Sequence, residues 1–234
     1  SVDYGADDMR YGGWIFFRYL TERIRSSRGG MPTLVRDMWR RADSRGADKY
    51  SMQAVRREVR QRHVRWSSTF ARFAEAGRRP RRVYDEGRAQ RYPAAPLAFS
   101  RITLSRAQRS TGVRTEQLNH LTSASARVVP GRDLTNRRWR LRLRVDMADK
   151  VTGSVAIATI HHKGRRTETR QIWLRSKGNG RVTVPFSRRK VRAVELTLVN
   201  TSTRYHCGQG THYSCEGRSM DDFLRTEFRA TALR

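Results

Sequence analysis

An eight-residue segment just past the middle of the chain, Arg138 to Val145, most strongly constrains the fold. Its sequence, RWRLRLRV, alternates strictly between arginine and an apolar residue. Successive side chains of a β-strand point to opposite faces of a sheet, so this pattern predicts one buried and one solvated face. We expect the solvated face to carry four arginines: Arg138, Arg140, Arg142 and Arg144.

Other short runs of the second half also read as strands, and turn-type segments such as SKGNG and HHKGRR separate them. Eight or nine short strands with such turns are typical of an antiparallel β-sandwich or a jelly roll. The further predicted strands are Phe99 to Leu104, Glu116 to Leu121, Val155 to Ile160, Arg170 to Leu174, Arg181 to Phe186, Val191 to Val199 and Phe223 to Ala230.

The first part of the chain has the period of helices. Apolar residues spaced three to five apart predict a largely buried helix from Tyr11 to Ile24, which Gly29 and Gly30 end. Three more helices are predicted, opening at Pro32, at Ser51 and near Ser67. Their predicted inner faces carry Leu34, Val35, Met38 and Trp39, then Ala54, Val55 and Val59, then Phe70, Phe73 and Ala74.

The spacing of apolar residues changes from a helical period in the first part to a period of two in the second, and this change divides the chain. With 234 residues it is long enough for a good core and for one or two domains. We predict an α+β protein in which a short N-terminal helical subdomain (residues 1–76) is followed by an antiparallel, jelly-roll-like β-sandwich (residues 99–234). The segment 77–98, rich in arginine, proline and glycine, is the predicted linker.

Two cysteines, Cys207 and Cys215, lie in one polar stretch, NTSTRYHCGQGTHYSC, and the chain has no others. An isolated pair around glycines predicts a loop closed by a disulfide and therefore an oxidising compartment, which favours a secreted protein. The rival hypothesis is a zinc site that adds His206 and His212. It is disfavoured because the usual C-x2-4-C and H-x3-5-H spacings are absent.

The net charge of +29 invites a nucleic-acid interpretation, because clustered positive charge binds phosphate backbones. The basic residues are spread over both halves of the chain, and all but five of the 50 are arginine. Diffuse charge indicates non-specific association more than one particular activity. The alternating segment is the one place where arginines are predicted to share a face.

Catalytic motifs are absent from the sequence: it has no HExxH, no GxSxG and no phosphate-binding loop. His161 and His162 end a predicted strand and are interpreted as turn residues. No apolar run approaches the twenty or so residues of a membrane span. Three carboxylate pairs could hold calcium but lack the spaced D-x-D-x-D pattern; they are Asp7 with Asp8, Asp146 with Asp149, and Asp221 with Asp222.

A set of segments in fixed order resembles the C-terminal portion of a family of large secreted bacterial proteins described as zinc metalloproteases. The segments are RYGGWIFFRYLTER, MPTLVRDMWRRAD, YSMQAV, FARFAEAGRRP, YDEG, LNHLTSAS and LVNTSTRYHCGQGTHYSCEGRSMDD. The resemblance implies an upstream catalytic segment of the same polypeptide, with an HExxH helix, an acidic ligand and zinc. This chain contains neither motif, so no catalytic or metal-binding residue carries over to it, and no cofactor is expected within it.

Two functional hypotheses follow. In the first, the chain is the non-catalytic part of a secreted metalloprotease-like protein, with a helical subdomain and an accessory β-sandwich. In the second, it is a stand-alone basic module whose arginine face, Arg138 to Arg144, binds nucleic acid or anionic glycans. Continuation of the reading frame upstream of Ser1 into an HExxH helix would favour the first hypothesis, and a signal peptide ending there would favour the second.

Overall fold

A computed structural model gives the fold of the chain. It describes residues 13–29, 31–42, 51–149, 153–164, 166–210 and 215–234. The chain forms two compact units, Ser1–Ala94 with Thr203–Asp221, and Ala95–Ser202 with Asp222–Arg234. Within these residues, helices belong to the first unit and a sandwich of nine strands to the second, which confirms the α+β class. The segment Thr203–Asp221 groups with the helices, although in sequence it lies between two strands of the sandwich.

The helical unit contains five helices and two short hairpins within the described residues. Its elements are α1 (Trp14–Arg23), β1 (Ser27–Arg28), β2 (Met31–Pro32), α2 (Leu34–Arg41), α3 (Ser51–Gln61), α4 (Trp66–Ala76), α5 (Pro80–Val83), β11 (Tyr205–Gly210) and β12 (Cys215–Ser219). Helix α5 lies inside the predicted linker 77–98. The domain boundaries predicted from sequence stay a prediction.

All four predicted helices are present; α3 begins at Ser51 as predicted and α4 at Trp66, whereas the starts of α1 and α2 differ from the prediction. Helix α1 is described from Trp14, and Tyr11 lies outside the described residues. Pro32 does not open α2, because it belongs to the β1–β2 hairpin, and the carbonyl of Thr33 accepts the Asp37 amide at 2.9 Å as the helix begins. Gly29 turns the hairpin with φ +56°, a conformation that glycine adopts without strain, while Gly30 lies outside the described residues.

The buried faces of α1 and α2 are narrower than predicted. In α1 the buried residues are Phe16, Tyr19 and Leu20, whereas Trp14 is half exposed. In α2 the buried residues are Leu34 and Met38, spaced by four, whereas Trp39 is 64% exposed. Consecutive helical residues are rotated by about 100° around the axis, and in α2 this rotation carries the Trp39 side chain from the buried side of Met38 into solvent.

Aromatic rings fill the core of the helical unit. The ring of Phe16 meets Phe73 at 5.1 Å and both Phe70 and Trp66 at 5.9 Å between centroids, all edge to face. Aromatic pairs prefer such arrangements over face-to-face stacking. The prediction that the aromatics of this part form a core therefore holds for Phe16 and Phe70, which are both almost fully buried.

The second unit is a sandwich of two sheets. Its strands are β3 (Ile102–Leu104), β4 (Arg114–Leu118), β5 (Ser123–Pro130), β6 (Arg140–Asp146), β7 (Ser154–His162), β8 (Thr167–Ile172), β9 (Asn179–Pro185), β10 (Val191–Asn200) and β13 (Leu224–Leu233). One sheet has the order β3-β5-β10-β7-β8 and the other β4-β13-β6-β9. Every pair is antiparallel except β3 with β5, which is parallel.

The core of the sandwich lies between the two sheets. Strand β6 contributes Leu141, Leu143 and Val145, all buried in one cluster with residues of β10 such as Leu196. Trp139 is also buried but precedes the strand, which begins at Arg140 and not at Arg138 as predicted. The alternation in the sequence therefore predicts the buried face of β6 correctly.

Strand β5 was not predicted, and the segment around the two cysteines was predicted as a loop. Strand β5 buries Ala124, Ala126 and Val128 in the core, but its small serine and alanine side chains differ little between the two faces, so the sequence shows no period-two pattern. The cysteine segment instead forms the antiparallel hairpin β11–β12.

Candidate functional site

Strand β6 places three of the four predicted arginines on one face. Arg140, Arg142 and Arg144 are two residues apart, a spacing of roughly 6.5 Å along a strand, and their apolar neighbours point into the core. Arg140 and Arg144 are exposed and Arg142 is half-buried. Arg138 lies in the turn before the strand, where its backbone amide donates to the Asn136 side chain at 2.8 Å.

Neighbouring strands add two arginines that the sequence prediction missed. The register places Arg144 directly opposite Arg229 of β13 on one side and Arg181 of β9 on the other. We call Arg229, Arg144 and Arg181 the arginine row. All three are exposed, and within the described part of the chain none of them has an ion pair. Like charges directly opposite in a sheet are destabilising, so the row is maintained at a cost in stability.

The rows on either side of the arginine row differ in charge. On one side Arg142 faces Thr231 and Thr183, which are neutral. On the other side Asp146 faces Glu227 and Asn179. Glu227 is ion-paired with Arg225, so its charge is directed away from the arginine row.

The arginine row leads to a concavity at the edge strand β9. The concavity has a volume of about 290 Å³ and contains Arg144, Arg175, Arg181, Trp173 and Asn179 in its lining. Trp173 follows strand β8 directly and is 73% exposed. Three cationic side chains and one accessible indole ring therefore surround the same small space.

A tight turn before β9 shapes this concavity. The amide of Arg175 donates to the Asn179 carbonyl at 2.8 Å, and the amide of Gly178 donates to the Arg175 carbonyl at 3.0 Å. Gly178 has φ +81°, and a Cβ there would lie 2.0 Å from the Met147 carbonyl oxygen. Only glycine fits this position, so the turn that presents Arg175 depends on it.

The chemistry of the concavity is that of an anion site. A guanidinium is a planar fork of donors with no acceptor, and it matches phosphate, sulfate or carboxylate oxygens. The exposed face of an indole ring offers a stacking platform for a flat or weakly polar ring. Arg144, Arg175 and Arg181 with Trp173 can therefore bind a polymer that carries both negative charges and rings.

The cysteine hairpin belongs to the helical unit. In the β11–β12 register Cys207 lies opposite Gly217, and Cys215 lies opposite Gly210. The side chain of Cys215 lies outside the described residues. The pairing of Cys207 with Cys215 stays a prediction.

Zinc would need four donors around one point in that hairpin. His206 and Cys207 are consecutive residues of strand β11 and point to opposite faces of the hairpin. His212 lies outside the described residues. Within the described ranges no group of three or more histidine, cysteine or carboxylate side chains is placed to hold a metal ion.

Histidines at the end of β7 lie close to carboxylates of neighbouring strands. The Nε2 atom of His161 lies 3.5 Å from a carboxylate oxygen of buried Glu195. On the opposite face of the strand, Nε2 of His162 lies 3.1 Å from Glu168. The His162 contact and the Arg170 guanidinium keep the pKa of Glu168 below its ordinary value, with Arg170 the larger cause.

Of the three carboxylate pairs considered for calcium, two lie within the described residues. Asp221 accepts from Arg204 at 3.2 Å, and Asp222 accepts from the His120 backbone amide at 2.8 Å. Asp146 and Asp149 are exposed. Asp7 and Asp8 lie outside the described residues.

The sequence contained a signal for the missed site residues. In the segment WLRSKGNGR, Trp173 precedes three basic residues, Arg175, Lys177 and Arg181. Proteins that bind single-stranded nucleic acid combine an aromatic side chain with basic residues in this way. Because the segment was interpreted as the end of a strand followed by a turn, the tryptophan and the basic residues were not connected with each other. Arg229 had no local signal, because only the pairing of β13 with β6 brings it beside Arg144.

Comparison with known proteins establishes no family for this chain. No family model matches it, and no curated protein matches it at a significant level.

Within the described residues no helix is long and apolar enough to cross a membrane.

Three solved bacterial structures are similar to part of the chain. A pre-peptidase C-terminal domain of collagenase from Bacillus anthracis has 8% identity and a TM-score of 0.32, over 60% of this chain and 100% of that one. Pseudomonas aeruginosa AlgX has 12% identity and a TM-score of 0.28, over 55% and 27% respectively. A β-glucosidase from Paenibacillus barengoltzii has 14% identity and a TM-score of 0.21, over 57% and 12%. At these scores the similarities do not establish a shared fold or function.

Proposed function

We propose that the chain is a non-catalytic accessory part of a larger secreted protein resembling zinc metalloproteases, and that its sandwich binds acidic polymers. The sequence resemblance supports the first half of this proposal. It places the catalytic HExxH segment upstream of this chain, and the motif is absent here. Zinc would belong to that upstream segment.

The arginine row is the single observation that supports the binding role. Arg229, Arg144 and Arg181 are held side by side, exposed, and without an ion pair in the described part of the chain. Placing like charges next to one another destabilises a sheet unless a ligand of opposite charge compensates. The phosphate, sulfate or carboxylate groups of a polymer would supply that charge at regular intervals.

A stand-alone module with the same binding face is the second candidate function. The arginine row supports it equally, because the face is complete within the sandwich strands. The genomic sequence upstream of Ser1 separates the two candidates. An HExxH helix in the same reading frame would identify an accessory part, and a signal peptide ending at Ser1 would identify a stand-alone module.

Binding to heparin and to DNA at several salt concentrations tests the proposal. The double variant Arg144→Ser with Arg181→Ser should reduce the slope of log affinity against log salt by about one unit per contact removed. The control is Arg188→Ser with Arg189→Ser, which removes the same charge from two exposed arginines that lie in the turn after β9. Equal effects of the two double variants would contradict a localised binding face.

A further inference from the structure

We infer that the concavity beside Trp173 binds single-stranded nucleic acid, with a base stacked on the indole ring and adjacent phosphates on Arg144, Arg175 and Arg181. This inference rests on the proposed function and narrows its ligand class. The inferred base contact is on Trp173, which follows strand β8, and the inferred phosphate contacts are on Arg175 and on Arg144 and Arg181 of the arginine row.

Exposure of Trp173 is the first support. The side chain is 73% exposed, although a large aromatic ring gains stability from burial. It lies against the same concavity as Arg144, Arg175 and Arg181. An aromatic platform within a positively charged groove is the arrangement by which proteins bind single strands independently of sequence.

The balance of donors and acceptors is the second support. Among the residues of the concavity, Arg144, Arg175 and Arg181 supply only donors, and Asn179 supplies the one side-chain carbonyl acceptor. Sugar hydroxyls donate as well as accept, so a hydroxyl-rich glycan would leave donors unpaired on such a surface. Phosphodiester oxygens only accept, and arginine forks bind them in bidentate fashion.

The position of the arginine row relative to the concavity is the third support. From the concavity at β9, the arginine row continues across β6 to Arg229 on β13, with neighbouring strands about 4.8 Å apart. A strand of nucleic acid could therefore follow the row and end with a base on Trp173. A base within a duplex is stacked on both faces and is not available to the ring, so the site selects single strands.

The test compares two ligands of equal charge on the full chain. An oligothymidylate of about twelve nucleotides and its abasic analogue are titrated by fluorescence anisotropy, since single-strand sites span roughly 4 to 16 nucleotides. The wild-type chain should bind the base-containing strand about five- to a hundredfold more tightly, the range expected for one stacked base. Trp173→Ala should abolish this difference, and Trp173→Phe should retain part of it.

Trp39→Ala is the matched control, because Trp39 is 64% exposed but belongs to helix α2 of the other unit. It should leave the difference between the two ligands unchanged. If Trp173→Ala lost affinity for heparin and the wild-type chain showed no preference for the base-containing strand, the inference would be overturned in favour of a sulfated glycan. An unchanged base preference in that variant would also overturn it. In either case, the double variant Arg144→Ser with Arg181→Ser separates the inference from the proposed function. If the double variant lowers the affinity for both ligands, the proposed function stands without the inference. If it leaves both affinities unchanged, the proposed function and the inference both fail.

Discussion

At the scale of single residues, the contacts of Glu86 in the helical unit give a pH-dependent contribution to stability. Its carboxylate accepts two hydrogen bonds from Arg18, at 3.1 and 2.8 Å, and one from the Tyr92 hydroxyl at 3.0 Å. These contacts, the Arg18 hydrogen bonds most of all, lower the pKa of Glu86 from 4.5 to about 2. The second carboxylate beside Arg18 behaves differently, because burial raises the pKa of Glu22 above its ordinary value.

We expect Glu86→Gln to remove a stabilising contribution that depends on pH. Because the pKa of Glu86 is lower in the folded state, the contribution is complete above the unfolded pKa near 4.5 and is lost as the pH falls towards about 2. The difference in melting temperature between wild type and variant should therefore be largest near neutral pH and shrink over that window. Circular-dichroism melts at a series of pH values measure it.

Glu116→Gln is the control for that experiment, because Glu116 has no ion pair within the described residues. Its melting temperature should follow the wild-type pH dependence. A constant difference between Glu86→Gln and wild type across the acid range would contradict the role of the Arg18 contacts.

At the scale of elements, the two faces of strand β6 should respond very differently to substitution. Leu143 is fully buried, so Leu143→Ala should cost about 2 to 5 kcal/mol of unfolding free energy through lost burial and the cavity left behind. Arg140→Ser with Arg142→Ser changes the opposite face and should cost less than about 1 kcal/mol. Urea denaturation followed by circular dichroism gives both values. Similar costs for the two variants would mean that the arginine face is packed and not solvated.

At the scale of the whole molecule, we predict that the chain alone has no peptidase activity. Its sequence lacks the HExxH helix that supplies the zinc ligands and general base of such enzymes. Unfolded casein incubated with the purified chain and zinc should show no cleavage that a chelator prevents. Chelator-sensitive cleavage would reveal an unrecognised site, and substitution of His161, His162, His206 or His212 would then locate it.

Much of the fold could be predicted from sequence where the pattern is local. The strict alternation around Leu141 and Leu143 predicted strand β6 and its buried face, because side-chain direction in a strand depends only on position along it. The same method missed strand β5, whose serines and alanines carry little contrast between the two faces. It also assigned Trp39 to a helix core, because helical spacing alone does not show which face meets another element.

The sequence by itself determined the α+β class, the helical period of the first part and the arginine face of β6. Only the tertiary structure decided which residues complete that face. Arg229 and Arg181 lie far from each other in the chain and meet beside Arg144 through the β13–β6 and β6–β9 pairings. Trp173 reaches the same place because Leu174 pairs with Gly180 across the turn before β9. Strand register is set by the packing of both sheets at once, so a sequence pattern read along one strand cannot supply it.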